Sequence, residues 1–403
     1  MRKYHKLTPV GTGDLLFAQC AKLRELSGRL IALYNQMGYS EVQTPVVEYY
    51  EVFKSGDFGI PEESMYKLTD KHGRLLAIRP DNTLPIARLI STRLQKAKKP
   101  IRLYYNQKIY RMAKNKRGQN HSSMESGVEV IGAGGKRADL ELIFTALEAL
   151  SAIVPDFRLE LGYADFFHTL VEKLPIPKED KESREEVREL IEGKNYAALS
   201  DKLKDFESNQ YTEIMRRLPR LFGGDEVFEE AQRLCKDTEI DAHLGYLHTI
   251  YHELVSAGLG DKIIVDLGMV QRNDYYNGII LRGYIPDTGA IVLRGGRYDG
   301  LLKLFGEDAP AIGFGISLDE ILRSPHNNVD MNERPVPDCL IHADDGFELK
   351  ALKYSKELLS GDKTRIEYSN SSSRSQALEY AEELGIYKII FINNDVEVIE
   401  IEH

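Results

Sequence analysis

An arginine followed by two glutamates marks the segment YRMAKNKRGQNHSSMESGVE, residues 110–129, as a candidate binding site. Arg111 ends a strand-like run, a basic loop with a glycine follows, and Glu125 and Glu129 stand on a second segment. A guanidinium group can hold a carboxylate or phosphate through two parallel hydrogen bonds. The segment therefore suits an anionic ligand, although a solvated hairpin with surface charges has the same pattern.

Two further segments offer polar groups that can face a ligand. In IRPDNTLPIAR, Asp81 and Thr83 follow a strand and could present a carboxylate and a hydroxyl to an ammonium group. An ordinary turn is the alternative there. In MVQRNDYYN, Tyr275 and Tyr276 stand among Arg, Asn and Asp, which favours a pocket lining over packing in the core.

Three other patterns carry less information. GGRYDG, residues 295–300, could approach a ligand beside Arg297 or form a tight turn. His248 and His252 have the i, i+4 spacing of zinc ligands on a helix, but HExxH is absent and no third ligand is evident, so no metal is predicted. GGDE, residues 223–226, is typical of a helix start. No P-loop or GxGxxG after a strand occurs, and no cofactor is predicted.

The spacing of apolar residues predicts the elements that position these groups. A helix is predicted over 17–37, ending at Gly38, and another over 138–153. Strands are predicted at 40–43, 75–79, 101–110, 262–267, 279–284 and 290–294. Because these strands are neither evenly spaced nor separated by regular helices, we expect a mixed, mainly antiparallel sheet flanked by helices, hence an α+β fold.

Changes of pattern divide the chain. Charged helical segments predict a helical insertion over about 167–257, and SPHNNVDMNERPVP reads as a linker. Beyond the linker, strand and helix patterns alternate in a small α/β domain. The predicted domains are a core over 1–325 and this small domain over 335–403.

Composition bounds the class of protein. The 403 residues are 42% hydrophobic, which fits a globular protein with sizeable cores. A formal charge of −10 argues weakly against a surface built mainly for nucleic acid. The three cysteines are far apart, which favours a reducing cytoplasm, and neither a leader nor a membrane span is expected.

Taken in order, these motifs resemble the class II aminoacyl-tRNA synthetase core, and the histidyl-tRNA synthetase family in particular. GYSEVQTPVVE is similar to motif 1, which builds a dimer interface around a proline, here Pro45. IYR with the loop to Glu129 resembles motif 2, RNDYYNG and GGRYDGL resemble the two histidine motifs, and PAIGFGISLDEIL resembles motif 3. The resemblance places the histidine contacts on Asp81, Thr83, Arg111, Glu125, Glu129, Tyr275 and Tyr276.

The same resemblance indicates that groups needed for adenylate formation are replaced. The family has an arginine where Gln271 stands, and motif 3 ends in an arginine where Glu320 stands. A motif 2 glutamate is replaced by Ala113 and its loop arginine by Gln119. Losing one preorganised donor to developing charge typically costs about 10² to 10³ in rate, so little adenylation is expected. The pocket itself has Asp81 where the family usually has Glu, and Glu125 where it usually has Gln.

A retained histidine pocket with a replaced activation site looks like the synthetase-like regulatory subunits of ATP phosphoribosyltransferase. The chain stops soon after VEVIEIE, without room for the final helix of the anticodon-binding domain, so tRNA is not an expected partner. This resemblance implies a homodimer in a hetero-oligomer with the short catalytic subunit, histidine as effector, and no catalytic residue in this chain. The alternatives are a divergent histidine–tRNA ligase and a free-standing histidine-binding protein.

Overall fold

The structure is a computed structural model that describes residues 4–54, 60–112, 120–270, 276–324, 334–361 and 364–401. Within them the chain forms a large unit, made mainly of residues 20–324, and a small unit, made mainly of residues 334–401. None of the described helices is long and apolar enough to span a bilayer.

The first long helix, α1 (Phe17–Gln36), forms where the apolar periodicity predicts it and buries Leu30 and Tyr34 on one side. Gly38 follows with a φ of 82°, a left-handed conformation that glycine adopts without strain. The backbone N–H of Tyr39 then donates to the carbonyl oxygen of Tyr34 at 3.0 Å. The glycine thus ends the helix and turns the chain toward the first strand.

The helices and strands of the described residues are numbered here in chain order. After α1, the α-helices are α2 (Thr83–Arg93), α3 (Lys136–Ile153), α4 (Ala164–Lys173), α5 (Lys181–Glu192), α6 (Tyr196–Lys202), α7 (Gln210–Arg217), α8 (Glu226–Leu234), α9 (Thr238–Ser256), α10 (Leu318–Leu322), α11 (Glu348–Leu359) and α12 (Arg374–Glu383). The strands are β1 (Ser40–Glu41), β2 (Val47–Tyr49), β3 (Lys67–Thr69), β4 (Leu75–Ile78), β5 (Ile101–Tyr110), β6 (Ser122–Ile131), β7 (Arg158–Tyr163), β8 (Phe222–Gly223), β9 (Ile263–Asp266), β10 (Ile279–Ile285), β11 (Ala290–Arg297), β12 (Ala311–Ser317), β13 (Cys339–Ala343), β14 (Ile366–Tyr368), β15 (Lys388–Ile392) and β16 (Val396–Glu400).

A nine-stranded sheet in the order β1-β5-β6-β12-β11-β10-β7-β9-β8 forms the centre of the large unit. Among its described pairs, β1–β5 and β7–β9 are parallel and the others are antiparallel. The prediction of a mixed, mainly antiparallel sheet is therefore confirmed. A second, three-stranded sheet has the order β2-β4-β3.

The helices α4 to α9 follow β7, and the short strand β8 lies between α7 and α8. GGDE at 223–226 leads into α8, with Asp225 at the N-cap position and Glu226 and Glu229 in the first turn. The predicted helix start is confirmed. Negative side chains at this end of a helix interact favourably with its dipole.

The small unit has a four-stranded sheet in the order β14-β13-β15-β16, in which β13 is parallel to both neighbours. Its two faces bury separate apolar clusters, one containing Leu340 and Phe391 and the other Ile341 and Ile390. Because neighbouring side chains alternate between faces, one strand contributes to both clusters. The strand and helix patterns expected beyond the linker form β13, α11, β14, α12, β15 and β16 in chain order.

Candidate functional site

One face of the nine-stranded sheet carries the glutamates of β6. Cross-strand partners form two rows on it. The first row is Leu103, Glu129, Gly313 and Gly296, and the second is Tyr105, Gly127, Gly315 and Arg294. Direct cross-strand neighbours share a face, and residues two apart on a strand share it as well. Glu125 therefore lies on this face too. We call the region around Asp81, Glu125 and Glu129 the carboxylate site.

Glycines on β12 leave space for both glutamates. A Cβ atom on Gly313 would stand 1.7 Å from Oε2 of Glu129, and one on Gly315 would stand 3.0 Å from Cδ of Glu125. Carbon atoms in favourable contact are about 3.5–4.0 Å apart, so a side chain at residue 313 is incompatible with this position of Glu129. The two carboxylates can lie across the neighbouring strand because it has no side chains there.

The N-terminus of α2 meets the same carboxylates. The Asn82 amide donates to Oε2 of Glu125 at 2.7 Å, and the Thr83 hydroxyl donates to Oε1 of Glu129 at 3.0 Å. Asp81 accepts a hydrogen bond from a backbone N–H of the first helical turn at 3.0 Å. The segment is thus a helix start, and it brings Asp81 and Thr83 to the glutamates.

Arg79, which sequence analysis did not single out, fixes this helix start. Its side chain is buried, and it donates to the carbonyl oxygens of Thr44 at 2.8 Å and Lys108 at 2.7 Å, and to Oε1 of Gln107 at 3.0 Å. Gln107 in turn donates to Oδ1 of Asn82 at 3.1 Å. These bonds connect the end of β4 to β5. The position of Arg79 at the end of a predicted strand gives no signal of its burial.

Arg111 supplies positive charge at the exposed side of the carboxylate site. Its Nε donates to the carbonyl oxygen of Pro80 at 2.8 Å, and Nη2 lies 3.4 Å from Oδ2 of Asp81. The side chain is still 45% exposed. The guanidinium is therefore anchored at one end and accessible to a ligand carboxylate.

Burial changes the ionisation of the glutamates. It raises the pKa of Glu129 to about 8, although hydroxyl hydrogen bonds from Tyr298 and from the start of α2 lower it. Burial and the charge of Asp81 raise the pKa of Glu125, opposed mainly by Arg111. A cation or an N–H donor beside such groups stabilises their charged form. The site consequently favours a ligand that brings N–H groups to the glutamates.

Tyr276 belongs to the apolar core and adjoins the carboxylate site. It is 9% exposed, and its ring meets the edge of the Tyr298 ring with centroids 6.5 Å apart. The Tyr298 hydroxyl donates to Glu129. Tyr276 thus packs against a residue that contacts the site directly. Tyr275 lies outside the described residues.

Arg294 is a second cation that sequence analysis missed. It lies on the same face as the glutamates, and its charge lowers the pKa of Glu125 against the larger effect of burial. Its cross-strand partner on β10 is Arg282. Side chains alternate between the two faces along β11, so Arg294 and Gly296 lie on the same face. This alternation was the feature of the sequence that could have placed Arg294 in the site.

Glu320, which the resemblance predicts to stand in place of an ATP-binding arginine, lies in α10. It accepts a hydrogen bond from Arg323, and the two side chains are 40% and 48% exposed. An exposed ion pair of this kind contributes little to stability. Ala113, Gln119 and Gln271 lie outside the described residues.

Arg297 does not supply charge to the carboxylate site. It is 6% exposed, its Nε donates to Oδ1 of Asp139 at 2.9 Å, and its Nη1 donates to Oδ1 of Asp299 at 3.0 Å. The interpretation of Arg297 as a ligand-binding charge is wrong, because a buried carboxylate on α3 holds it. Of the segment 295–300, residues 295–297 belong to β11, and the turn given as the alternative forms only at residues 299–300.

A cavity of about 690 Å³ opens beside α1, lined among others by Leu23, Ile31, Asn106 and Lys108. Asn106 and Lys108 alternate along β5 with Tyr105, so they point to the opposite face of the sheet from the carboxylate site. The cavity is therefore separate from it.

Comparison with known proteins identifies the family. The family model described as histidyl-tRNA synthetase matches residues 11–321. An ATP phosphoribosyltransferase regulatory subunit of Bacillus cereus (strain ATCC 10987 / NRS 248) is 34% identical over 402 residues, which cover 98% of this chain and 94% of the relative. A protein of the same name from Clostridium novyi (strain NT) is 35% identical over 398 residues, covering 98% and 94%.

A solved structure agrees with these relatives. The crystal structure of an ATP phosphoribosyltransferase regulatory subunit/histidyl-tRNA synthetase from Bacillus halodurans C matches with a TM-score of 0.85 and 25% identity, covering 97% of this chain and 99% of that chain. The expected class II synthetase-like fold is thereby confirmed. The chain belongs to the family of ATP phosphoribosyltransferase regulatory subunits, which shares its fold with histidyl-tRNA synthetases.

Proposed function

We propose that the chain binds histidine at the carboxylate site and regulates the short catalytic subunit of ATP phosphoribosyltransferase. In this role it is required for activity of the catalytic subunit and transmits feedback inhibition by histidine in the first step of histidine biosynthesis. The names of its relatives support a regulatory role in that pathway.

The observation that supports histidine as the ligand is an arginine beside carboxylates of raised pKa. Arg111 suits the α-carboxylate of an amino acid, while Asp81, Glu125 and Glu129 suit its ammonium group and the N–H groups of imidazole. A ligand without N–H donors would add no hydrogen bond to the buried glutamates beyond those from Asn82, Thr83 and Tyr298.

We further propose that the chain does not activate histidine. Adenylate formation places negative charge on a phosphoryl group, which synthetases stabilise with fixed cations. The negatively charged Glu320 is an unsuitable replacement for an ATP-binding arginine. Phosphoribosyl transfer then takes place on the partner chain, and tRNA is not a partner.

Histidine can regulate the complex only if it binds two conformations with different affinity. Histidine and the catalytic subunit both bind this chain, and the effect of each on the binding of the other must be equal. The catalytic subunit should therefore change the affinity of this chain for histidine by the factor by which histidine changes its affinity for the catalytic subunit.

A homodimer within the hetero-oligomer is also part of the proposal. Apolar side chains follow Pro45 in the segment that resembles motif 1, and Val46, Val47 and Tyr49 are 50%, 41% and 45% exposed. Contiguous exposed apolar residues are typical of an interface with another protein. Sedimentation of the isolated chain should give twice the monomer mass, and a monomer at micromolar concentration would contradict this.

Reconstitution tests the regulatory role. The purified full chain is mixed with the short catalytic subunit of the same organism, and phosphoribosyl transfer to ATP is followed. We expect the two chains to elute together and the rate to depend on this chain. Separate elution with an unchanged rate would contradict the proposal.

A histidine–tRNA ligase is the second candidate, and Arg294 favours it, because this cation lies on the site face where it could meet a phosphate group. Histidine-dependent ATP–pyrophosphate exchange separates the two functions. Exchange at synthetase rates that is lost in Arg294→Gln would support the ligase, whereas no exchange by correctly folded protein would support the regulatory role.

A further inference from the structure

The helix α9 presents two histidines on its exposed side in the helical part of the large unit. Leu247, Ile250 and Leu254 are buried and anchor the helix, while His248 and His252 stand one helical turn apart. Their rings meet edge to face with centroids 4.4 Å apart. This spacing is visible in the sequence, where no third ligand is evident.

The structure supplies a third ligand from 23 positions earlier in the chain. Oδ1 of Asp225 lies 2.7 Å from Nε2 of His248 and 3.1 Å from Nε2 of His252. Two imidazole nitrogens therefore converge on one carboxylate oxygen, and a ligand atom from each residue lies within 4.8 Å of the others. The sequence could not indicate this, because α8 and α9 approach each other only in the fold.

Packing holds both sides of this cluster. Phe228, in the first turn of α8, is buried, and its ring centroid lies 4.5 Å from that of His248. Asp225 directly precedes α8, so the contact between the helices also positions its carboxylate. The three ligands thus belong to two helix segments that are packed together, which reduces the conformational entropy lost on binding.

Two imidazoles and one carboxylate are a suitable donor set for zinc. Zinc is bound about 2.0–2.2 Å from His nitrogen and carboxylate oxygen, often by three protein ligands with a water in the fourth position. Tetrahedral ligands at that distance are roughly 3.3 Å apart, so the distances of 2.7 Å and 3.1 Å from Asp225 to the two histidine nitrogens would have to lengthen by roughly 0.6 Å and 0.2 Å. The side chain of Asp225 is 53% exposed and has space to move in this way.

The surrounding charge also favours a divalent cation. Glu226 is next to Asp225, and one of its carboxylate oxygens accepts a hydrogen bond from the backbone N–H of Gly224 at 2.9 Å. Calcium and magnesium prefer sites made of oxygen ligands, whereas imidazole suits zinc and its neighbours among the transition metals. Without a metal, the same geometry would be a pair of histidine–aspartate hydrogen bonds.

We propose that Asp225, His248 and His252 form a zinc site that joins the N-terminus of α8 to α9. This site lies in the helices α8 and α9 and shares no residue with the carboxylate site. It does not depend on histidine binding or on the catalytic partner.

The test measures zinc binding to the full chain without an affinity tag, after treatment with a chelator. Zinc is titrated against a chromophoric competitor, and cobalt is used in parallel because its visible spectrum reports coordination by imidazole. We expect one zinc per chain and a higher melting temperature with zinc. His248→Ala, His252→Ala and Asp225→Asn should each weaken binding by at least about tenfold, since even outer-shell partners of a metal contribute this much.

His72→Ala is the matched control, because this exposed histidine lies in a turn and should bind zinc no differently from the unchanged chain. Circular dichroism verifies that each variant is folded. Asp225→Asn keeps the shape of the side chain and leaves His248 in contact with Phe228, so it tests the ligand without removing that packing. The proposal is overturned if the folded chain binds no zinc, or if His248→Ala, His252→Ala and Asp225→Asn bind it as tightly as the control.

Discussion

The carboxylate of Glu129 lies directly over Gly313 of the neighbouring strand, in space that any side chain at residue 313 would occupy. The hydroxyls of Thr83 and Tyr298 donate to it there. The position of a buried acid in this site thus depends on the absence of a side chain on β12.

Replacement of Gly313 by alanine tests this dependence. The new Cβ would displace the Glu129 carboxylate and break its two hydrogen bonds, each of which contributes about 0.5–1.5 kcal/mol. We therefore expect histidine affinity, measured by isothermal titration, to fall by about tenfold or more. Gly245→Ala in α9 is the control, since nothing lies within 4 Å of its Cβ, and it should leave affinity unchanged. Wild-type affinity in Gly313→Ala would contradict the placement of histidine here.

The raised pKa of Glu129 predicts proton release on histidine binding. The group titrates at about 8 in the folded chain and near 4.5 when unfolded, so its contribution to stability is complete below 4.5 and is lost as the pH rises through about 8. A bound N–H donor favours the charged carboxylate and expels the proton within this window.

Titrations at pH 7 in buffers with different heats of ionisation measure this release. Glu129→Gln keeps the shape of the side chain but has no proton to lose, so it should release fewer protons than the unchanged chain. Equal proton release by the two proteins would show that Glu129 does not titrate with histidine binding.

Arg111→Lys tests recognition of the α-carboxylate. Lysine keeps the charge but lacks the planar pair of N–H donors and the bond from Nε to Pro80. Hydrogen bonds to charged groups contribute about 1.5–3 kcal/mol, so an affinity loss of about 10- to 100-fold is expected. Arg29→Lys on the exposed side of α1 is the control. If both variants bind histidine equally well, the carboxylate is held elsewhere.

The buried ion pair of Arg297 and Asp139 should contribute more to the free energy of unfolding than the exposed ion pair of Lys136 and Glu253, which also involves α3. Asp139→Ala would leave a buried guanidinium with one of its carboxylates removed, at a cost of about 3–5 kcal/mol in the free energy of unfolding. Glu253→Ala removes the exposed partner of Lys136 and should cost less than about 1 kcal/mol. Urea denaturation measures both, and equal costs would contradict the structural role given to Arg297.

Long periodic segments could be predicted from the sequence because their pattern alone specifies the element. β5 forms at the predicted residues, and α1 ends one residue before the predicted boundary. β12 was recognised as a motif but not as a strand, since Gly313 and Gly315 lower strand propensity. The side chains of Glu129 and Glu125 lie over these two glycines. The residues that make room for the site therefore weakened the strand pattern in the sequence.

The candidate site could be predicted in part. Its acidic residues and Arg111 stand in recognisable motifs, but the arginines Arg79 and Arg294 were missed. The charge of an arginine does not indicate whether its partners are solvent, backbone carbonyls or distant carboxylates. The guanidinium of Arg79 donates hydrogen bonds to the carbonyl oxygens of Thr44 and Lys108, which only the folded chain brings together.

The most direct test of the regulatory account is a histidine titration of phosphoribosyl transfer by this chain mixed with the short catalytic subunit. We predict that histidine lowers the rate of the mixture, and that Arg111→Lys shifts the inhibition to higher histidine by the factor by which it weakens binding. A rate that histidine does not change, or inhibition unaffected by Arg111→Lys, would contradict the claim that the carboxylate site senses histidine for the complex.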